Sequence, residues 1–194
     1  SIEKPIIFIG DMILGLRAAK TKCNTEKIHT LSRNNITSNA MKAEINGIGL
    51  ESKLLEKLKE QDSNLKRKNL IYSCIRSIAY ARENKFEDSI KELEKFLNYK
   101  TDKIKGKRKA LKFITILLEK YDEFKDNTLL EFSQFIKDNI DTSISKVSGG
   151  KIKDFYENHT FNQLLLCVSI PEDISLHKTI HKAKGDEFDN VLLV

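Results

Sequence analysis

Two short stretches of this chain combine residue types suited to holding an anionic ligand. The first is Thr179-Ile-His181-Lys-Ala-Lys184-Gly185-Asp-Glu187-Phe188. A polar turn around Gly185 separates two stretches, 177–181 and 189–194, that read as strands. A loop that leaves the end of a parallel strand is where α/β domains bind ligands. The second stretch is Leu31-Ser32-Arg33-Asn34-Asn35, after a strand-like run and before a helix. Arg offers a forked charge to phosphate, and Asn can bond either phosphate or a base. Two plainer readings compete with these: a polar hairpin turn for the first stretch, and ordinary helix capping for the second.

Other constellations carry less. His177 and His181 are four apart, but in a strand-like segment and without the Glu of a zinc-protease helix. His29 and His159 have no partner of note. No Ser/His/Asp or Cys/His arrangement has a supporting context. The glycine-rich GxxxxGK loop ending in Ser or Thr is absent, so no triphosphate cradle can be named. No Asp-Glu pair follows a suitable strand, so no magnesium ligand can be named either.

The elements that must position these residues fall into two textures. Residues 5–9 form a short apolar run, as a buried parallel strand would. Residues 12–22 have helical spacing, 27–32 read as a second strand, and a helix is expected over about 37–46. That β-α-β-α order opens a parallel α/β layer. From about residue 50 to 162 the apolar residues recur at spacings of three, four and seven, which predicts an all-helical region. Ser148-Gly149-Gly150 is the clearest joint within it, and 161–168 read as a helix end or buried segment. Two basic clusters, Lys66-Arg67-Lys68 and Lys103 to Lys109, fall between the expected helices and read as solvated loops that could also meet duplex DNA.

Composition narrows the class. The net charge of +6 fits a polyanionic partner, although 28 acidic residues are mixed among the 34 basic ones. Three cysteines, far apart and without a CxxC pair, argue against a disulfide or zinc framework and for a reducing, cytoplasmic setting. No apolar run approaches the ~18 residues that a membrane helix needs, so no membrane partner is expected. The chain starts without Met and stops inside the apolar run Val191–Val194, which reads as a piece cut from a longer protein.

The string from Thr179 to Phe188, with its following apolar strand, resembles motif V of UvrD/Rep/PcrA-type superfamily 1 DNA helicases, Thr-x-His-x-x-Lys-Gly-x-Glu-Phe, and matches it at six positions in ten residues. Leu31 to Asn35 resembles the strand ending in Arg-x-Asn that precedes the inserted subdomain of the same family. The resemblance implies that Glu187 accepts a hydrogen bond from the nucleotide ribose, that Lys184 supports the loop and the nearby phosphates, and that Gly185 permits the turn bringing Glu187 round. These three form the implied ATP-binding set. Arg33, Asn35, Thr179 and His181 form the implied DNA-binding set, and Phe188 packs in the core. Asp186 departs from the family, which commonly has an apolar residue there, and so bears on local packing.

By the same resemblance the fold is α/β, an incomplete RecA-like motor domain with a parallel sheet, over 1–49 and 165–194. A large all-α insertion over 50–164 makes the chain predominantly helical. The intact protein would be an ATP-dependent DNA helicase or translocase moving 3′ to 5′, using ATP with Mg2+. Its partners would be single-stranded or partly duplex DNA and the first motor domain of the same chain. Phosphoryl transfer needs a phosphate cradle, metal and arginines together, so this fragment alone is expected to be inactive and to hold no catalytic residue and no metal ligand.

A second reading remains open. Ile78 to Leu93 resembles one tetratricopeptide-type hairpin, which would make the chain a non-enzymatic helical module that binds protein. Only one copy is visible, whereas solenoids need about three repeats for stability.

Overall fold

A computed structural model describes residues 6–45, 50–97, 102–171 and 175–194. The chain divides into two compact units, Ser1–Leu50 with Pro171–Val194, and Glu51–Ile170. The first is a small α/β layer and the second is helical, so the fold is an α/β domain interrupted by a large helical insertion. Ten helices and three strands occur among the described residues.

The first unit begins with helix α1, Met12–Cys23. The Asp11 carboxylate starts it by accepting the N–H groups of Ile13 at 2.7 Å and Leu14 at 3.2 Å, donors that a helix terminus leaves unpaired. Asn24 ends it in the left-handed conformation, φ 47°. Strand β1, His29–Ser32, and helix α2, Asn35–Lys42, follow. The chain returns after the insertion as β2, His177–Thr179, and β3, Val191–Leu193. β1 is central and pairs parallel with both, in the order β2-β1-β3. Ile13 and Leu16 of α1, Met41 of α2 and Ile28 form the apolar core. The inward positions of β1 are Thr30 and Ser32, both buried. Buried hydroxyls require partners. Thr30 Oγ1 meets His177 Nδ1 at 2.8 Å, and Ser32 Oγ meets Ser38 Oγ at 2.7 Å.

The strand expected over 5–9 is a correction. Pro5 lies outside the described residues. Residues 6–9 belong to no strand and are exposed, Ile9 at 93%. Apolar character favours burial but supplies no ladder, and a strand exists only where a neighbour satisfies its backbone groups. The segment is instead held by Phe8 against α1, close enough that a methyl group on Gly15 would lie 3.1 Å from the Phe8 ring. The other strands are shorter than the apolar runs that announced them, ending at Thr179 rather than 181 and beginning at Val191 rather than 189.

The second unit comprises α3 (Leu54–Gln61), α4 (Leu65–Arg82), α5 (Phe86–Leu97), α6 (Lys103–Glu119), α7 (Tyr121–Phe124), α8 (Leu129–Asn139), α9 (Gly150–Asn158) and α10 (Phe161–Leu166). Its core includes Phe124, Phe132 and Phe161. Their ring centroids lie 5.0 Å (124–132), 5.0 Å (124–161) and 4.6 Å (132–161) apart. A buried ion pair crosses this unit. Asp62, at 0% exposure, receives Arg67 Nε at 2.8 Å, an Arg67 Nη at 2.7 Å and the Tyr156 hydroxyl at 2.7 Å. The same guanidinium donates to the carbonyls of Ser145 at 3.2 Å and Lys146 at 3.0 Å, joining the start of α4 to the strap before α9.

The tetratricopeptide-like hairpin is α4 and α5, turning at Asn84 with φ 59° and tied by Ser77 and Ser89 hydroxyls 2.7 Å apart. It packs on α3, α6, α8 and α10 as part of a bundle, and no second such hairpin stacks on it among the described residues. Both basic clusters also differ from expectation: 66–68 lie in the first turn of α4 with Arg67 buried, and 103–109 form the first turns of α6 rather than a loop. Gly106 and Ala110 face inward there, and their small size lets the helix pack closely while the cations stay outside. Gly149 and Gly150 open α9 inside this unit.

Candidate nucleic-acid and nucleotide site

The parallel register β1–β2 sets Ser32 opposite Thr179, so the two chemically promising stretches leave neighbouring strands at the same, C-terminal, end. Segments about 147 residues apart in the chain thereby become adjacent. The ladder continues one step past the strand, with Ile180 N–H donating to Ser32 C=O at 2.9 Å. The C-terminal edge of a parallel sheet is the ligand side of an open α/β layer.

The loop after β2 is shaped by Thr179. Its carbonyl accepts the N–H groups of Lys182 at 3.0 Å and Ala183 at 3.1 Å, and its hydroxyl accepts that of Lys182 at 3.3 Å. Thr179 is 6% exposed, so its side chain serves the turn rather than facing solvent. Asp186 N–H then donates to Ala183 C=O at 3.0 Å, and Gly185 between them has φ +92°. L-residues rarely adopt that conformation, so glycine is required for the reversal that follows. No atom lies within 4 Å of where a Gly185 side chain would start, so the requirement comes from the backbone and not from crowding. His181, Lys184 and Glu187 stand exposed on this loop. Phe188 is half-buried, its ring 4.4 Å from that of His29.

On the β1 side, the helix-capping role falls to Asn34, whose Oδ1 accepts the Thr37 N–H at 2.9 Å. Asn35 is the first residue of α2, and its Oδ1 is buried without a hydrogen-bond partner among the described residues. A buried polar atom left unpaired is costly, so this one calls for a partner such as water or a ligand. Arg33 is exposed beside it. Arg33, His181, Lys184 and Glu187 make no side-chain hydrogen bond or ion pair among the described residues, which leaves them available to a ligand.

One neighbour of the loop escaped the sequence reading: Lys178 bonds Asp186 at 2.9 Å, pairing the charge of the residue that departs from the helicase pattern. The His29–Phe188 contact lies at the other end of β1, where β3 begins, and nothing local marks it.

An exposed carboxylate on a glycine turn suits a sugar hydroxyl, and the adjacent cations suit phosphate. No group of three or more His, Cys, Asp or Glu residues able to hold a metal ion occurs among the described residues, and no helix there is long and apolar enough to cross a membrane.

No curated protein and no solved structure matches the chain. A family model does, over residues 4–194, and it describes the UvrD-like helicase C-terminal domain. A match over nearly the whole chain, together with the adjacency of the two helicase-like stretches on one sheet edge, places this protein in the UvrD-like helicase family as a C-terminal domain.

Proposed function

We propose that this chain is the second motor domain of an ATP-driven DNA translocase and supplies one side of its single-strand path and of its ATP site. Residues 1–49 and 165–194 would form the motor subdomain and 50–164 its inserted subdomain. The observation that carries the reading is the placement of Arg33 and Asn35 beside the Thr179–Phe188 loop, at the C-terminal ends of adjacent parallel strands. Arg33 and His181 contact the DNA backbone, and Asn35 Oδ1 accepts a donor from the strand. Thr179 contributes by fixing the turn that presents His181. Glu187 accepts a ribose hydroxyl, Lys184 faces the phosphates, and Gly185 brings both into place.

Triphosphate cradle and Mg2+ ligands come from the first motor domain of the intact protein, so this chain by itself binds and does not hydrolyse. Bound ATP draws the two motor domains together and its loss lets them part, which alternates grip on the strand. A cytoplasmic location is part of this proposal.

Fluorescence anisotropy of labelled single-stranded DNA tests the reading, with this chain and with protein carrying both motor domains, with and without a non-hydrolysable ATP analogue. Arg33→Ala and His181→Ala should each weaken binding by roughly fivefold, the value of about 1 kcal/mol per lost contact. Glu187→Ala should leave binding intact and blunt its response to nucleotide in the two-domain protein. DNA binding that is absent, or indifferent to all three changes, would refute the proposal and favour a protein-binding helical module.

A further inference from the structure

The second unit contains a groove of about 870 Å³ that the DNA and nucleotide reading does not use. Its floor is one stripe of α4, running from Leu65 through Asn69, Tyr72 and Ser73 to Arg76, with Lys59 of α3 on one side and Glu92, Lys95 and Phe96 of α5 on the other. From Leu65 to Arg76 the helix rises about 16 Å, the length of roughly five residues of extended chain.

Charge selects the kind of occupant. Lys59, Lys66, Arg76 and Lys95 line the groove with one carboxylate, Glu92, and Lys66 is also paired with Asp141 at 3.3 Å, which leaves the cations in excess. That carboxylate is already committed, with Oε2 receiving Arg76 Nε at 3.0 Å and Oε1 receiving an Arg76 Nη at 3.1 Å and Lys95 Nζ at 2.8 Å. Glu92 is held below the ordinary carboxylate range: burial alone would raise it, and the bonds from Arg76 and Lys95 outweigh burial. The groove therefore presents net positive charge to anything entering it.

One observation separates an acidic peptide from a nucleic acid, and a second fits an extended peptide. A nucleic-acid strand would use the one large ring in the floor as a stacking platform. Lys59 Nζ already sits 3.5 Å from the centre of the Tyr72 ring, so a base would have to displace an ammonium to stack. The half-buried Asn69 amide makes no hydrogen bond among the described residues. One donor and one acceptor on the same planar group match the N–H and C=O of an extended main chain. Leu65, 66% exposed, and the half-buried Phe96 add apolar contact at the groove's edges.

We infer that this groove binds a short extended segment of an acidic protein partner, with Asn69 holding its main chain, Lys59 and Lys95 meeting its carboxylates, and Leu65 and Phe96 taking an apolar side chain. The site recruits a protein and is independent of the motor chemistry, so it stands or falls separately from the proposed function.

The test is fluorescence anisotropy of the 194-residue chain with a labelled ten-residue peptide alternating Glu or Asp with Leu or Phe. The same peptide with Lys for each acid, and a labelled oligo(dT), serve as controls. The acidic peptide should bind and the basic one should not. Asn69→Ala should weaken binding about fivefold and Lys59→Glu about tenfold, as loss of one hydrogen bond and reversal of one contacting charge. Leu65→Ser, at a position too exposed to affect folding, should weaken it about threefold through lost apolar contact. Equal binding of acidic and basic peptides, or acidic binding untouched by all three variants, overturns the inference. Oligo(dT) binding that Asn69→Ala and Lys59→Glu both weaken also overturns it, by making the groove a nucleic-acid site.

Discussion

Lys178 and Asp186 form an ion pair of 2.9 Å across the loop that carries Gly185 and Glu187, with side-chain exposures of 18% and 41%. Lys178 belongs to β2, opposite Leu31 of β1, so its stem is fixed by the sheet and its ammonium reaches over to the loop. The helicase motif that this loop resembles commonly has an apolar residue in the place of Asp186, and here a charge pair stands instead.

The pair predicts a compensation. A half-exposed ion pair contributes only about 0–1 kcal/mol, so Asp186→Leu should change thermal stability little. Lys178→Glu should do more, because it leaves two carboxylates facing each other beside the residues proposed to hold DNA and nucleotide. Single-stranded DNA affinity should fall several-fold in Lys178→Glu and return in Lys178→Glu/Asp186→Lys. A double variant as weak as the single one would show that Lys178 acts on DNA directly.

Asp62, Arg67 and Tyr156 predict the largest stability loss in the helical unit. Removing one member of a buried, hydrogen-bonded pair strands the other, at about 3–5 kcal/mol, so Asp62→Ala or Arg67→Ala should lower the denaturant midpoint sharply. Tyr156→Phe deletes one bond to a charged group and should cost about 1.5–3 kcal/mol. Burial would raise the Asp62 carboxyl, but hydrogen bonds from Arg67 and Tyr156 outweigh it and hold the group below its ordinary value. A depressed carboxylate contributes stability that is fully present above the unfolded value, about 3.9, and is lost as pH falls through the lower folded value. The stability gap between wild type and Asp62→Asn should therefore be constant near neutrality and narrow below about pH 4, as pH-dependent denaturant melts will show.

Gly185 predicts a local effect with a functional consequence. At φ +92° a side chain is strained even in open space. Gly185→Ala should cost roughly 1–2 kcal/mol if the loop keeps its path. If the loop relaxes, the cost falls and Glu187 moves instead. Comparing the change in melting temperature with the change in nucleotide response of the two-domain protein separates the two, and loss in neither would contradict the role given to this glycine.

Helix α6 carries Lys103, Lys105, Lys107, Arg108 and Lys109 in its early turns and no acidic residue in its first turn. Cations at a helix N-terminus oppose the macrodipole, at about 0.3–1 kcal/mol each within the first turn. Lys103→Glu and Lys105→Glu should therefore stabilise the chain, measured by thermal melting at low salt, with the gain shrinking as salt is added. Unchanged or lowered stability would mean that these cations have partners in the fold.

The sequence alone determined whatever depends on neighbours along the chain. Apolar spacing marked the region from about 50 to 162 as helical, and Leu70, Cys74 and Ile78 of α4 and Ile114 and Leu117 of α6 are buried there, because helix hydrogen bonds and side-chain contacts close within four residues. The order Thr179, His181, Lys184, Gly185, Glu187 marked a turn for the same reason, since that turn is made from its own residues.

Strand pairing is not local, and there the tertiary structure decided. It left Ile6 to Ile9 outside the sheet despite their apolarity, and it set Ser32 opposite Thr179, which makes Arg33 and Asn35 neighbours of the loop. It gave the capping role to Asn34 and left Asn35 Oδ1 unpaired, a choice between identical side chains that rests on backbone geometry alone. It also supplied Lys178 as the partner of Asp186, through a side chain directed by the register of a parallel ladder whose central strand lies more than a hundred residues away in the chain. Contacts of that kind follow from which strands share hydrogen bonds, and no spacing along the chain encodes them.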